Sequence, residues 1–282
     1  MQKILVTGAT GFIGNYVVEE LLKNGYDVIA SGIEKNIDKI HWKSDVRYIQ
    51  CDLSKKKENF YSYLSKPDIL IHLAWKGLPN YNELFHFEEN LFDSYRFIKN
   101  MISNGLNNLS VIGTCFEYGM QNDGLSENLP TFPVTAYALA KDTLRKFIEQ
   151  LNTRINFNFK WIRLFYMYGK GQNKSSILSQ LDTAIDNSEQ IFNMSKGDQL
   201  RDYLPVEKVA EYIVKISLQK QITGIVNCCS GHPISIRSLV KNRIKIRKSP
   251  IKLNLGFYPY LKYEPMFFWG TDTKLQKILN HV

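Results

Sequence analysis

Apolar positions in the first 165 residues alternate between solid runs and runs spaced three and four apart. Lys3-Ile4-Leu5-Val6-Thr7 is a solid run and predicts a buried strand. Phe12, Ile13, Tyr16, Val17, Val18, Leu21 and Leu22 recur at helical spacing, and Asn24-Gly25 supplies a stop. Residues 27–30 and 46–50 predict the next strands, and residues 68–73, entered after Pro67, another. A long helix is predicted over residues 84–103, closed by Asn104-Gly105. Residues 110–112 predict a strand, 136–151 a helix and 159–164 a further strand. Solid apolar strands alternating with helices predict an α/β, doubly wound parallel sheet buried on both faces. Residues 1–168 are read as that sheet unit. From residue 169 the pattern weakens into short segments rich in Asn, Lys and Tyr, so residues 169–282 are read mainly as a smaller C-terminal region capping a cleft. A return of chain segments to the sheet is left open. The aromatic stretch from Tyr258 to Trp269 reads as a C-terminal cap.

Composition narrows the class. Of 282 residues, 44% are hydrophobic and 22% charged, which fits a globular domain and argues against disorder. No run approaches the ~18 apolar residues of a membrane helix, so no membrane partner is expected. Met1-Gln2-Lys3 leads into only Ile4-Leu5-Val6, too little for a secretory leader, and a cytoplasmic location is expected. Cys51, Cys115, Cys228 and Cys229 are too few and scattered for a disulfide framework or a four-ligand zinc site, and no metal is expected. The net charge of +9 reads as a solvated basic surface or as preparation for an anionic ligand. No basic patch is interleaved with aromatics, so nucleic acid is not expected as a partner.

The first strand runs into Thr7-Gly8-Ala9-Thr10-Gly11-Phe12-Ile13-Gly14 and then a helix. Glycines 8, 11 and 14 allow a tight turn, a close approach of phosphate to backbone, and close helix packing. A helix N-terminus adds free N–H groups and the positive end of its dipole. Spaced G-x-x-G-x-x-G and worded TGATGFIG, this turn resembles that of the extended short-chain dehydrogenase/reductases, the family of nucleotide-sugar epimerases, dehydratases and reductases. That resemblance implies a Rossmann sheet holding NADP(H) or NAD(H), with Gly8, Gly11, Phe12, Ile13 and Gly14 at the pyrophosphate. It also places Asp52 and Leu53 of Cys51-Asp52-Leu53 at the adenine, and Leu73, Ala74 and Trp75 of His72-Leu73-Ala74-Trp75 beside the cofactor. Asn90 matches the Asn of the family's central helix. The second strand usually ends in an acid that binds the NAD ribose. Ser31-Gly32-Ile33 stands there, with Glu34 one step late and Lys35 after it, so NADP(H) is favoured over NAD(H).

Tyr137 and Lys141 lie four apart and share a helix face. An ammonium beside a phenol favours the phenolate, which suits Tyr137 to exchange a proton with a carbonyl or hydroxyl oxygen. The resemblance adds Thr114, four residues before Tyr118-Gly119, as the hydroxyl that orients the substrate. It also implies that Lys141 bonds the nicotinamide ribose. The family's 4,6-dehydratases carry Asp and Glu directly after this Thr, and here Cys115 and Phe116 stand instead, with Glu117 one place too late. Dehydration is therefore not expected.

On the substrate side, the resemblance implies contacts from Tyr81, Cys115, Phe116, Tyr166 and Arg201. Cys115 either touches the sugar or is a packed thiol. Tyr81 either stacks on the sugar or packs. Tyr166 replaces the usual Asn of R-x-F-N-x-x-G, and Arg201 of Arg201-Asp202-Tyr203 matches the residue that pairs with the nucleotide diphosphate, which a planar guanidinium suits. The implied activity is NAD(P)H-dependent reduction of a keto group on a dTDP-4-keto-6-deoxyhexose, supplying precursors of surface polysaccharide. An epimerase with tightly held NAD, and a non-catalytic dinucleotide sensor or nucleic-acid binder, are the alternatives. Phe85, Phe87, Leu91, Phe92, Tyr95, Phe97 and Ile98 exceed what one sheet contact needs, and the resemblance implies that this helix and the one from Ala136 form the interface of a homodimer.

Overall fold

The computed structural model describes residues 2–260 and 264–280. Its chain begins β1 (Lys3–Thr7), α1 (Phe12–Lys23), β2 (Asp27–Gly32) and β3 (Arg47–Gln50). There follow α2 (Phe60–Tyr63), β4 (Ile69–His72), α3 (Leu91–Ser103) and β5 (Asn108–Thr114). Then come β6 (Asp123–Leu125), α4 (Ala136–Asn152), β7 (Asn158–Leu164) and β8 (Tyr166–Tyr168). The next stretch holds α5 (Ile177–Asp186), β9 (Ile191–Met194), β10 (Leu200–Arg201), β11 (Tyr203–Pro205), α6 (Val206–Leu218) and β12 (Gly224–Cys228). The last holds β13 (Ile234–Ser235), α7 (Ile236–Arg247), β14 (Lys252–Leu255), β15 (Phe267–Gly270) and α8 (Thr273–Leu279).

Seven strands form one parallel sheet in the order β12-β7-β5-β4-β1-β2-β3. Alternation along β1 explains its two covered faces. Ile4 and Val6 pack with Val17, Val18 and Leu21 of α1, Val209 and Ile213 of α6, and Leu275 of α8. Leu5 points the other way, into Phe97, Ile98 and Met101 of α3 and Ala140, Leu144 and Ile148 of α4. The strand order reverses between β1 and β4, and ligands of open parallel sheets sit at the carboxyl ends beside that reversal.

The expected cut between residues 168 and 169 is crossed in both directions. β12 returns to the sheet edge beside β7, while β6 leaves the N-terminal part to join a second sheet, β13-β10-β15-β6. Asn227 ties the two regions: its amide donates to Leu125 O (2.8 Å), and its Oδ1 accepts from the Tyr118 hydroxyl (2.8 Å). α5 and α7 enclose a separate small core with β9 and β14. Of the aromatic stretch 258–269, residues 261–263 lie outside the described residues, and Phe267–Gly270 is β15. The helix predicted over 84–103 is not uniform. A π-helical turn, His86–Asn90, precedes α3, and Leu91, Phe97 and Ile98 are buried against the sheet rather than left for a partner.

One buried ion pair locks the turn after β5. Glu117 is fully buried, and its Oε2 accepts from Arg163 Nε (2.7 Å) on the neighbouring β7. Its Oε1 accepts from Trp161 Nε1 (2.9 Å) and from the Thr114 N–H (2.9 Å). The Thr114 hydroxyl in return accepts the Phe116 N–H at 3.3 Å, completing a reciprocal cap. A Cβ on Gly113 would lie 2.1 Å from Trp161 Nε1 and 2.6 Å from Glu117 Oε1, so only glycine leaves room for the pair. Breaking a buried pair by removing one partner leaves the other charge uncompensated, at a cost of about 3–5 kcal/mol. Glu117→Ala is expected to lower stability by that order in urea unfolding. A loss below about 1 kcal/mol would show that Arg163 finds other compensation.

Candidate active site

The glycine turn and the end of β4 meet at the strand reversal. Gly8 has φ +69°, and a Cβ there would stand 2.8 Å from Ala74 N. A Cβ on Gly14 would stand 2.1 Å from Gly8 O. Gly11 begins α1, its N–H donating to Gly8 O and its carbonyl accepting from Asn15 N. Phe12 and Ile13 open the helix, where N–H groups have no carbonyl one turn back. A turn without side chains, leading straight into free helix N–H groups, is what a backbone-held pyrophosphate requires. Leu73 N–H donates to Thr7 O, and beyond it the chain leaves the ladder as Ala74 and Trp75 pass the glycine turn. His72 is fully buried beside them, its Nδ1 sharing a hydrogen bond with the Thr7 hydroxyl (2.8 Å). Burial pushes its imidazole down to about 3, so it is neutral.

At the end of β2 the structure shows where Glu34 goes. Ser31 is buried, and its carbonyl accepts the Ala9 N–H. Glu34 folds back to the glycine turn, and its carboxylate accepts from the Thr10 hydroxyl at 2.6 Å. A Cβ on Gly32 would lie 2.6 Å from Glu34 Oε2 and 3.1 Å from the Tyr48 hydroxyl. A carboxylate therefore does stand beside the turn, delivered by a bend rather than by the strand's last residue. Asp52 accepts from Ser54 N and Oγ (3.0 and 2.7 Å) and pairs with Lys76 at 3.5 Å. The Ser54 hydrogen bond in first place holds its carboxyl below the usual range. Leu53 packs at the margin of the α3–α4 core.

Thr114 ends β5, and α4 brings Tyr137 and Lys141 to it from the next element. Thr135 caps α4 by accepting the Ala138 N–H, and the Tyr137 N–H donates to Tyr81 O (2.9 Å). Both expected side chains face inward and are buried. The Thr114 hydroxyl hydrogen-bonds Tyr137 and favours its phenolate, but burial outweighs it and pushes the phenol well above its usual range. Lys141 Nζ donates to Ile112 O (2.8 Å) and stands 3.9 Å from the centre of the Trp75 ring. Burial brings its ammonium down to about 7, against the favourable charge of Glu117. So Thr114 meets Tyr137 and Lys141 reaches β5 two residues earlier, while burial, not the neighbouring lysine that the spacing alone suggested, dominates Tyr137.

Aromatic rings wall the space in front. Tyr81 packs edge-on to Phe116 (5.2 Å between centroids) and tilts over Tyr137 (5.6 Å). Phe116 meets Tyr166 at 6.1 Å, and Tyr166 meets Tyr203 at 5.3 Å. Arg201 lies buried near the Tyr166 ring, bonded to Leu200 O (2.9 Å) and Glu264 Oε2 (3.0 Å). Cys115 is the packed thiol of its two readings, buried with Tyr118, Leu125, Phe165, Cys229 and Phe268, and burial pushes it well up. Two residues were not singled out from the sequence. Asp202 accepts the N–H groups of Ser230 (2.7 Å) and Gly231 (2.9 Å), tying the loop after β12 to the site. His86 accepts from Trp75 Nε1 (3.0 Å), four residues before Asn90, whose amide donates to Lys76 O (3.0 Å). A lone His in an apolar stretch carries no such signal. Among the described residues no group of three or more His, Cys, Asp or Glu is arranged to hold a metal, and no helix is long and apolar enough to cross a membrane.

Known proteins resemble this chain in sequence and fold. A dTDP-6-deoxy-L-talose 4-dehydrogenase (NAD(+)) from Aggregatibacter actinomycetemcomitans is 30% identical over 95% of this chain and 98% of its own length. A dTDP-4-dehydro-6-deoxyglucose reductase from Escherichia coli is 22% identical over 90% of this chain and 84% of its own. Among solved structures, a UDP-N-acetylglucosamine 4-epimerase from Methanobrevibacter ruminantium superposes with a TM-score of 0.87, at 20% identity, over 98% of this chain and 91% of that one. Residues 4–229, from the first strand through the last strand of the sheet, match the family model described as NAD dependent epimerase/dehydratase, and the chain belongs to that family.

Proposed function

We propose that the protein interconverts the 4-keto and 4-hydroxyl forms of a dTDP-linked 6-deoxyhexose with NAD(H), acting as a reductase. The observation that carries this is Tyr137 hydrogen-bonded to Thr114 at the end of β5, with Lys141 buried on the same strand end at Ile112 O, while Glu117 beside them is committed to Arg163. A dehydratase needs a free carboxyl pair there, and Cys115 and Phe116 supply none. The relative that is 30% identical is named for chemistry at carbon 4 of such a sugar.

When bound, the nicotinamide supplies the hydride acceptor or donor. The glycine cradle and the first turn of α1 would hold its pyrophosphate. Tyr137, kept protonated by burial, gives its proton to the carbonyl oxygen in reduction. Thr114 orients that oxygen through its hydroxyl. Lys141 keeps one donor on Ile112 O and offers the others to the cofactor ribose. Arg201 exchanges Glu264 for the substrate diphosphate, and Tyr81, Phe116 and Tyr166 exclude water around the sugar.

Three outcomes are expected. Tyr137→Phe keeps fold and cofactor binding but lowers turnover of dTDP-4-keto-6-deoxyhexoses by roughly 10²–10⁴-fold, the range for a lost general acid. The assay is cofactor oxidation with products identified by NMR. Near-normal turnover in the variant would overturn the mechanism, and product without net oxidation would identify an epimerase. Second, the Glu34 carboxylate repels a 2′-phosphate and can accept from a ribose hydroxyl, so NADH should bind at least about tenfold more tightly than NADPH. Glu34→Ser should narrow that gap in titration calorimetry. A wild-type preference for NADPH would restore the sequence-based expectation. Third, Phe92 on α3 and Leu139 on α4 remain about half exposed, and a homodimer through these helices is expected. Light scattering should give twice the chain mass, falling to one on Phe92→Glu.

A further inference from the structure

We infer that Trp75 and His86 are positioning residues for the catalytic pair: the indole face of Trp75 holds the Lys141 ammonium, and the His86 imidazole holds the indole. The inference rests on the roles proposed above for Tyr137 and Lys141. It starts from a shortage of acceptors. Lys141 is 2% exposed, and an ammonium carries three donors, yet Ile112 O at 2.8 Å is the only hydrogen-bond acceptor found for it among the described residues. A ring face at 3.9 Å from Nζ supplies the missing compensation, and such contacts are strongest when water is excluded.

Trp75 cannot hold that pose by backbone structure, since it follows β4 in an irregular segment. Its Nε1–H donates to His86 Nδ1 at 3.0 Å. For Nδ1 to accept, the imidazole must carry its proton on Nε2, and Nε2–H donates to Asn80 O at 2.9 Å. Asn90, whose amide reaches Lys76 O, stands 3.4 Å from the same Nδ1. The two rings lie nearly parallel, at 18° and 6.2 Å. Both also border the Tyr137 ring, at 6.0 Å for Trp75 and 5.3 Å for His86. One latch therefore sets the walls around both members of the pair. Burial lowers the His86 imidazole further from protonation, so the acceptor persists. The other titratable groups that act with Lys141 are Glu117, which favours its charge, neutral His72 on β4, and His86 itself.

Removing the ring face disfavours the ammonium, so Lys141 should lose its proton at lower pH. The test is the pH profile of kcat for the holoenzyme on the best substrate. Trp75→Leu and His86→Leu should move the alkaline limb down by about one pH unit, with roughly a tenfold loss of kcat above neutrality. His86→Asn, whose amide oxygen can replace Nδ1 as acceptor, should restore the limb. Trp75→Phe, with a face but no N–H, should fall between. Circular dichroism and cofactor binding check that each variant is folded. If the leucine variants do not fold, Trp75→Phe and His86→Asn decide: a shift in the first and none in the second supports the latch, and the reverse overturns it. A limb unmoved in folded Trp75→Leu, or moved equally in His86→Asn and His86→Leu, overturns it as well. Lys141→Met is measured alongside. Normal turnover there would remove the catalytic reading itself, whereas loss of turnover with an unmoved limb in Trp75→Leu removes only this inference.

Discussion

A carboxylate taken out of water must be ringed by donors, and Glu117 meets that demand by binding two strands and a turn at once. Arg163 and Trp161 come from β7, and the Thr114 N–H comes from the end of β5. The carboxylate is too deep to tolerate the loss of any of them. Thr114 is thereby fixed at the carboxyl edge of the sheet with its hydroxyl turned toward α4. Gly113 is part of the same constraint, because a side chain there would occupy the space of the pair. In the proposed reaction, the placing of the substrate oxygen depends on that anchored turn.

Around the turn the site is dry, and dryness sets its proton chemistry. Burial pushes Tyr137 toward the protonated phenol and brings Lys141 down to about 7. It pushes His72 down to about 3, leaving a neutral ring that supports rather than competes with Lys141. The sheet supplies this dryness from below, and the rings of Trp75, Tyr81 and Phe116 supply it from in front. A phenol that stays protonated until its partner oxygen gains charge is suited to donate, and a lysine near neutrality responds to small changes in its surroundings.

The residues whose surroundings a linear reading left open share a cause. Glu34 seemed too late in the chain to serve the end of β2, because strand position was taken as the guide. A bend lets its carboxylate reach Thr10 from three residues beyond Ser31. Glu117 seemed one place too late for acid–base work, and the reason lies in its direction: it points into the core, toward β7. Leu91, Phe97 and Ile98 seemed surplus to one sheet contact, yet α3 uses them against the sheet itself. Each case concerns where a side chain points after the chain has turned.

What the chain determines by itself is local. Solid apolar runs between amphipathic stretches specify a parallel sheet, because both faces of each strand must be buried. Glycines at 8 and 14 specify a close approach, because no side chain fits the contacts they make. Tyr137 and Lys141 share a face because a helix repeats every 3.6 residues. Tertiary structure alone decided the rest. Only packing put Trp75 over Lys141 and His86 behind Trp75, since these groups are 66 and 11 residues apart along the chain and meet through side-chain contact. Only packing decided that Glu117 pairs with Arg163, that Asp202 ties down the loop after β12, and that β12 closes the sheet edge. Periodicity reports which face of an element is buried, and the partner it is buried against follows from the assembled fold.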